Sequence, residues 1–222
     1  MRAAYDYGAD AVYAGSPRYS LRARNNEFAK LDVLEQGIKE AHERNKKFFL
    51  TVNTLPHNSK LKTFVSDMEP LIAMKPDALI MADPGLIMTV REKWPEMPIH
   101  LSVQANTTNY WGVKFWQNIG VERIILSREL SMEEIAEIRQ ECPDIELEVF
   151  IHGALCIAYS GRCLLSGYFN HRDPNQGTCT NSCRWDYKVH NATESDAGDA
   201  QLLQGFNFEK AQEEANQNFE GI

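Results

Sequence analysis

Two hydrophobic patterns alternate along most of this chain. Six short runs are almost wholly apolar: Ala11–Ala14, Phe48–Asn53, Ala78–Met81, Ile99–Val103, Arg123–Leu126 and Leu147–Ile151. They are rich in Val, Ile, Leu and Phe and lack the strict in–out alternation of a half-exposed strand, as expected for parallel strands covered on both faces. Between them, apolar residues recur at helical spacing. Asp32–Arg44 sets Val33, Leu34, Ile38 and Ala41 on one face, and Lys62–Met74, Leu86–Lys93 and Val113–Ile119 behave similarly. Ser131-Met132-Glu133-Glu134 has the form of a capping box, opening a helix that runs to Glu141. The predicted order is a helix at Arg2–Tyr7 closed by Gly8, then strand–helix repeats, then a final strand at Leu147.

Repeated βα units build either a doubly wound sheet or a TIM-type (β/α) barrel. The strands are short and similar in length, and polar residues follow nearly every one: Asn53, Asp83, Gln104 with Asn106, Ser127 with Arg128 and Glu129, and His152. In a barrel these positions converge on one face, where active sites sit. No GxGxxG or P-loop motif supports a nucleotide-binding doubly wound fold. The expected fold is therefore α/β, a TIM-type barrel with about six of its eight strands. The opening helix lacks a preceding strand, and nothing after His190 reads as a barrel strand. The chain is expected to be a fragment: a partial barrel over 1–152, a cysteine-rich loop region over 153–190 at the catalytic face, and an acidic, mobile tail over 191–222.

Charge refines this division. The 222 residues carry a formal net charge of −8. Asn191–Ile222 holds seven acidic residues and one lysine, a net of −6, which leaves −2 for Met1–His190. Between His152 and His190 the balance is positive, with Arg162, Arg172, Arg184 and Lys188 against Asp173 and Asp186. A mildly basic mouth on a near-neutral body accommodates an anionic partner despite the acidic total. No apolar run reaches membrane-spanning length and no hydrophobic stretch follows Met1, so no membrane partner is expected and the compartment expected is the cytoplasm.

In that compartment thiols stay reduced, so the five cysteines point to metal binding or catalysis before disulfides. Four read Cys156-x6-Cys163-x15-Cys179-x3-Cys183 and all follow the last predicted strand, on the catalytic side. Cys142 lies between a helix and the next strand, on the opposite, stability face. Four thiolates suit a 4Fe–4S cluster or a tetrahedral zinc. The irregular spacing favours the larger object, glycines at 153, 161, 167 and 177 would let the backbone wrap closely, and unrelated buried thiols remain the third reading.

The segment Glu148-Val-Phe-Ile-His-Gly-Ala-Leu-Cys156-Ile-Ala-Tyr-Ser-Gly-Arg-Cys163-Leu-Leu-Ser166 closely resembles the signature of the collagenase-like peptidase family U32. Tyr19-Ser-Leu-Arg-x-Arg24-Asn-Asn-Glu-Phe28, His100-Leu-Ser-Val-Gln-Ala-Asn106, Leu126-Ser-Arg-Glu-Leu130 and Asp173-Pro-Asn-Gln-Gly-Thr-Cys179-Thr-Asn-x-Cys183-Arg-Trp185 are similar to its tRNA-hydroxylating branch, and the likeness runs from Met1 to about Tyr187. The resemblance implies an enzyme contributing to 5-hydroxylation of the wobble uridine of tRNA, independent of dioxygen and dependent on prephenate as co-substrate. It implies Cys156, Cys163, Cys179 and Cys183 as ligands of a 4Fe–4S cluster, with zinc the alternative. Its implied partners are tRNA, the small carboxylic acid prephenate and a protein of the modification pathway.

The remaining roles follow from position. His152, Asp83, Gln104 and Arg128 are the candidate catalytic residues; Arg22, Arg24, Asn53, Asn106, Arg162 and Arg184 are the candidate substrate-binding residues. Arginines suit carboxylates or phosphates, and neutral amides suit a uracil edge. Each has a plainer reading: Asp83-Pro84-Gly85 as a helix start, Arg128 and Glu129 as a brace of the mouth, His152 as a satisfied core histidine. Two other functions remain open. A peptidase would draw on a Cys156–His152 dyad, with neither HExxH nor GxSxG present. A zinc-stapled module would bind RNA or protein without catalysis.

Overall fold

The computed structural model describes residues 1–23, 26–153, 156–188, 192–198 and 200–202. The chain forms two compact units, Met1–Cys183 and Arg184–Ile222.

The first unit opens with α1 (Arg2–Asp6) and then alternates β1 (Ala11–Gly15), α2 (Leu31–Glu43), β2 (Lys47–Val52), α3 (Asn58–Ala73), β3 (Ala78–Met81), α4 (Pro84–Lys93), β4 (Ile99–Leu101), α5 (Tyr110–Asn118), β5 (Arg123–Ile125), α6 (Met132–Glu141) and β6 (Glu146–Glu148). All six strands are parallel, and each pairs with its neighbour in chain order. A doubly wound sheet needs a reversal of strand order partway along. None occurs here, and the sheet curls as a half-barrel with its helices on the outside.

The absence of alternation in the strands is explained by two packed faces. Phe48, Leu50, Val52, Leu79, Met81, Ile99, Leu101 and Ile124 join the main core beneath the helices. Phe49, Ala78, Ile80 and Ile125 form a second cluster on the other face. The helices meet the sheet through one stripe each: Leu34, Ile38 and Ala41 on α2, Phe64, Met68 and Leu71 on α3, and Leu86, Ile87 and Val90 on α4. Burying side chains of this size contributes roughly 1.5–3 kcal/mol apiece.

Strand bounds differ from the expectation by more than one residue at two places. β4 ends at Leu101, and Val103–Ala105 turns into a 3-10 helix capped by the Ser102 hydroxyl, which puts Asn106 at φ 53°. β6 ends at Glu148, leaving Val149, Phe150 and Ile151 exposed beyond it. Apolar character alone does not distinguish a strand from the apolar loop that follows it.

The capping box forms as expected. The Ser131 hydroxyl accepts from the Glu134 amide at 3.2 Å while the Glu134 carboxylate accepts from the Ser131 amide at 2.7 Å. Ser131→Ala should cost about 1 kcal/mol, seen as a lower urea midpoint with faster amide exchange confined to the first turn of α6.

The second unit holds a short antiparallel pair, β7 (Ala192–Glu194) with β8 (Ala200–Leu202). This hairpin was not expected in a segment read as an acidic tail, whose strands are only three residues long. Residues 203–222 of that expected tail lie outside the described residues.

Candidate functional site

The carboxyl ends of the strands surround a cavity of about 920 Å³, within the size range of small-molecule sites. Every strand contributes to its wall or rim: Tyr13 and Gly15 from β1, Thr51 and Asn53 at the end of β2, Ile80 of β3, Ser102 to Gln104 after β4, Ile125 to Arg128 at the end of β5, and Glu148 to Gly153 at the end of β6. Cys156, Ser160 and Gly161 border it from the cysteine-rich segment. Of the polar residues expected on this face, Asn53, Gln104, Ser127, Arg128 and His152 do converge there, because parallel strands in chain order bring their following loops to the same end, while Asp83, Asn106 and Glu129 stay off the wall.

The first part of the cysteine-rich segment is held by side chains from the loops after β4 and β5. Arg128 donates to the carbonyls of Cys156 (3.2 Å) and Ala158 (3.4 Å). The Asn106 amide donates to Tyr159 O at 3.4 Å, and the Gln104 amide to Gly161 O at 3.3 Å. The Glu129 carboxylate accepts from the Ser160 amide at 2.7 Å and from the Ser160 hydroxyl. Burial alone would raise the Glu129 pKa. The two bonds from Ser160, helped by the Arg128 charge, outweigh it and hold the carboxyl below its ordinary value.

The second part is fastened to the loop after β2 and to α3. Leu55 donates its amide to Asn175 O at 3.3 Å, and Gln176 donates to Leu55 O. Lys60 donates to the Gln176 carbonyl oxygen at 3.1 Å. Further on, α7 (Leu165–Asn170) and residues 180–182 share a polar knot: Asn170 donates to Thr180 and Ser182, each at 3.0 Å, and the Thr180 amide to the Ser166 hydroxyl at 3.2 Å.

Each expected site residue now has a place. Arg22, Asn53, Gln104, Arg128, His152 and Cys156 line the cavity. Asn53 accepts from the Leu21 amide at 3.2 Å and so also steadies the first loop. Asn106 lies behind the turn it holds, and Asp83 is the N-cap of α4, accepting from the Leu86 amide at 2.9 Å; neither belongs to the cavity wall. For Asp83 the helix-start reading thus accounts for the side chain. Arg162 is exposed and off the wall, Arg184 is exposed in the second unit, and Arg24 lies outside the described residues.

Two features of this region lie outside the expected site residues. One is the Glu129–Ser160 contact, which joins residues 31 positions apart. The other is His100, whose ring faces inward on β4, is 5% exposed and packs edge-on against Phe49 at 4.6 Å. A histidine inside an apolar strand run is a visible signal for such a site, and it was read only as part of a motif.

The thiols divide as their topology requires: Cys142 is buried, Cys156 and Cys179 are exposed, and Cys163 and Cys183 are half-buried, all free. Among the described residues, no group of three or more His, Cys, Asp or Glu side chains is arranged to hold a metal ion. The donor set is chemically right for an iron–sulfur cluster, and the Asn181 amide already donates to Cys179 Sγ at 3.4 Å.

A half-barrel of parallel strands, with a cavity at the carboxyl ends bordered by a cysteine-bearing segment, defines an α/β half-barrel scaffold. The chain belongs to peptidase family U32, whose sequence model matches residues 1–218. It is 68% identical over 198 residues to tRNA hydroxylation protein P of Haemophilus influenzae, covering 89% of this chain and 43% of that protein. It is 36% identical over 188 residues to the 23S rRNA 5-hydroxycytidine C2501 synthase of Escherichia coli, covering 85% of this chain and 28% of that one. The chain thus spans less than half the length of these relatives. Among solved structures, the U32 peptidase Mk0906 superposes with a TM-score of 0.56 at 17% identity, over 68% of this chain and 63% of that one, a likeness of fold. No helix among the described residues is long and apolar enough to cross a membrane.

Proposed function

We propose that this chain supplies the cavity-bearing part of a cytoplasmic tRNA hydroxylation protein, one that contributes to 5-hydroxylation of the wobble uridine with prephenate as co-substrate. The observation that carries the reading is the identity of 68% with a tRNA hydroxylation protein P across 89% of this chain. The curled sheet is read as part of a TIM-type barrel. In this reading the cavity receives the small acid or the target base, Arg22 and Arg128 face its negative charge, and Asn53 and Gln104 offer neutral hydrogen-bonding groups. His152, exposed at the rim, is placed to move a proton.

The proposal includes Cys156, Cys163, Cys179 and Cys183 as ligands of a 4Fe–4S cluster, with zinc as the alternative. The chemistry of four free thiols on one segment supports it. Bound there, a cluster would supply electron transfer or Lewis acidity.

The test is a chimera in which this chain replaces the matched 198 residues of the Haemophilus influenzae protein. Expressed in a bacterium deleted for its own tRNA hydroxylation protein P, it should restore wobble 5-hydroxyuridine, read by mass spectrometry of tRNA nucleosides. Cys163→Ser should abolish the restoration, and anaerobically purified wild type should carry about four irons per chain. Failure of the folded wild-type chimera to restore the nucleoside would reject the reading. Stoichiometric zinc in a colourless, active protein would reject the cluster alone. Cleavage of peptides by metal-free protein, lost in Cys156→Ala, would point to a peptidase instead.

A further inference from the structure

We infer that Glu129 is a positioning residue, which sets the Cys156–Gly161 turn, and with it the Cys156 thiol, at the rim of the cavity. Glu129 itself does not line the cavity, although its neighbours Arg128 and Leu130 do. Its two carboxylate oxygens are both engaged by one residue, Ser160, through the amide and the hydroxyl. It therefore acts through another residue and touches nothing in the cavity directly.

Ser160 is an unusual anchor. It is fully buried, and it sits at φ 37°, ψ 43°, a left-handed conformation that a β-carbon disfavours. Its hydroxyl oxygen also lies 3.0 Å from the Ser127 hydroxyl, which can donate to it. A serine is held in this conformation only where the surroundings over-determine it, and here the carboxylate does so by capturing both of its donors. A glycine would reach the same backbone geometry freely but would offer no hydroxyl.

The neighbouring bonds to the turn are weaker than this one. Those from Gln104, Asn106 and Arg128 all end on carbonyls, at 3.2–3.4 Å. The Glu129 carboxylate meets two donors of the turn at short range, whereas the other charge-assisted bonds, those of Arg128, are longer at 3.2 and 3.4 Å. Removing it should release the turn as a unit, because the bonds left to its carbonyls are long, at 3.2–3.4 Å, and spread over four residues, and only the neutral Ser127 hydroxyl still meets Ser160. The inference holds whatever the cavity binds and does not rest on the tRNA reading.

The test is amide hydrogen exchange by mass spectrometry on the chain itself, comparing wild type with Glu129→Ala and Glu129→Gln. A second readout from the same samples is the ratio of N-ethylmaleimide labelling at Cys156 to that at Cys179. In Glu129→Ala, exchange across residues 158–161 should rise about ten- to a hundred-fold, while β3 and β4 stay at the wild-type rate. The Cys156/Cys179 labelling ratio should rise with it, since the Arg128 bond to the Cys156 carbonyl goes with the turn. Glu129→Gln should lose less protection, because one of its two terminal atoms still accepts. Unchanged exchange and labelling ratio in Glu129→Ala would overturn the inference. So would an equal rise across β3 and β4, which would mark a general structural role. Should the alanine variant not fold, the glutamine variant decides alone: wild-type exchange at 158–161 in it overturns the inference.

Discussion

Gly177→Ala should detach the 173–177 turn from the sheet while leaving the half-barrel folded. The residue stands at φ +87°, and a β-carbon there would lie 2.6 Å from the Ser20 carbonyl oxygen. The conformational part of the cost is about 1–2 kcal/mol for an L residue in that region. The collision is with backbone rather than a flexible side-chain tip, so relief needs movement of the first βα loop or of the turn, at about 1–3 kcal/mol more. Opposing this are the bonds between Leu55 and Asn175, Gln176 and Leu55, and Lys60 and Gln176, each contributing about 0.5–1.5 kcal/mol net. The two totals are of the same size. The turn should therefore pass from mainly docked to substantially open, instead of the whole unit unfolding. Limited proteolysis should gain a cut near 173–178, and exchange should rise at Leu21 and Leu55, with the urea midpoint little changed. Gly8→Ala isolates the conformational part: φ is +95° there, with nothing within 4 Å of the added carbon, so it should cost about 1 kcal/mol and open nothing. Wild-type protection of the turn in Gly177→Ala would refute the docking geometry.

The sequence conveyed the order and kind of nearly every element, and the reason lies in how parallel strands are used. Phe48 and Phe49 face opposite sides of β2 and both are buried, so the strand reads as an unbroken apolar run. The helices announce themselves by one apolar stripe, and α6 by a capping box that formed as written. Less was legible at the loops. Ile99–Val103 read as one strand because Val103 is apolar, yet the Ser102 hydroxyl caps a 3-10 turn that ends the strand. The same limit applies to the site. That Gln104, Arg128 and His152 face one cavity follows from topology alone. That Gln104 and Arg128 also spend hydrogen bonds on the carbonyls of residues 156–161 follows only from how the segment folds back over the mouth. Nothing local encodes a contact across 57 positions such as Gln104 to Gly161. Roles read as catalysis or bracing were alternatives in sequence; for Glu129 the structure selects bracing, and for Arg128 it adds bracing to a place on the wall.

His100 should make the fold acid-sensitive between about pH 6.5 and pH 4. Its pKa is lowered from 6.5 to about 4. Burial is the largest cause; the positive charges of Arg123 and Lys47 add to it, and Glu146 offsets part. The ring is wedged edge-on against Phe49, and the Arg123 guanidinium lies 5.3 Å from the Phe49 ring centroid while pairing with Glu146 at 2.7 Å. Its Nδ1 is buried with no partner among the described residues, so a second proton there would gain no acceptor. In the unfolded chain the ring protonates near 6.5, and in the folded chain only near 4. Between those values the unfolded state binds the extra proton and the folded state does not. Stability is therefore fully present above about pH 6.5 and falls as the pH drops toward 4, by about 2.5 kcal/mol at pH 4.5. Glu146, held below its ordinary value first by its bond to Arg123, begins to lose its contribution as the pH falls past about 4.5, at the lower end of that window. His100→Leu should flatten the slope. Measured by urea denaturation, the difference in unfolding free energy between the leucine variant and wild type should shift by about 2.5 kcal/mol in the variant's favour from pH 7 to pH 4.5. A constant difference across that range would show that the ring titrates alike in both states, and that the inner face of the sheet admits water and charge at this depth.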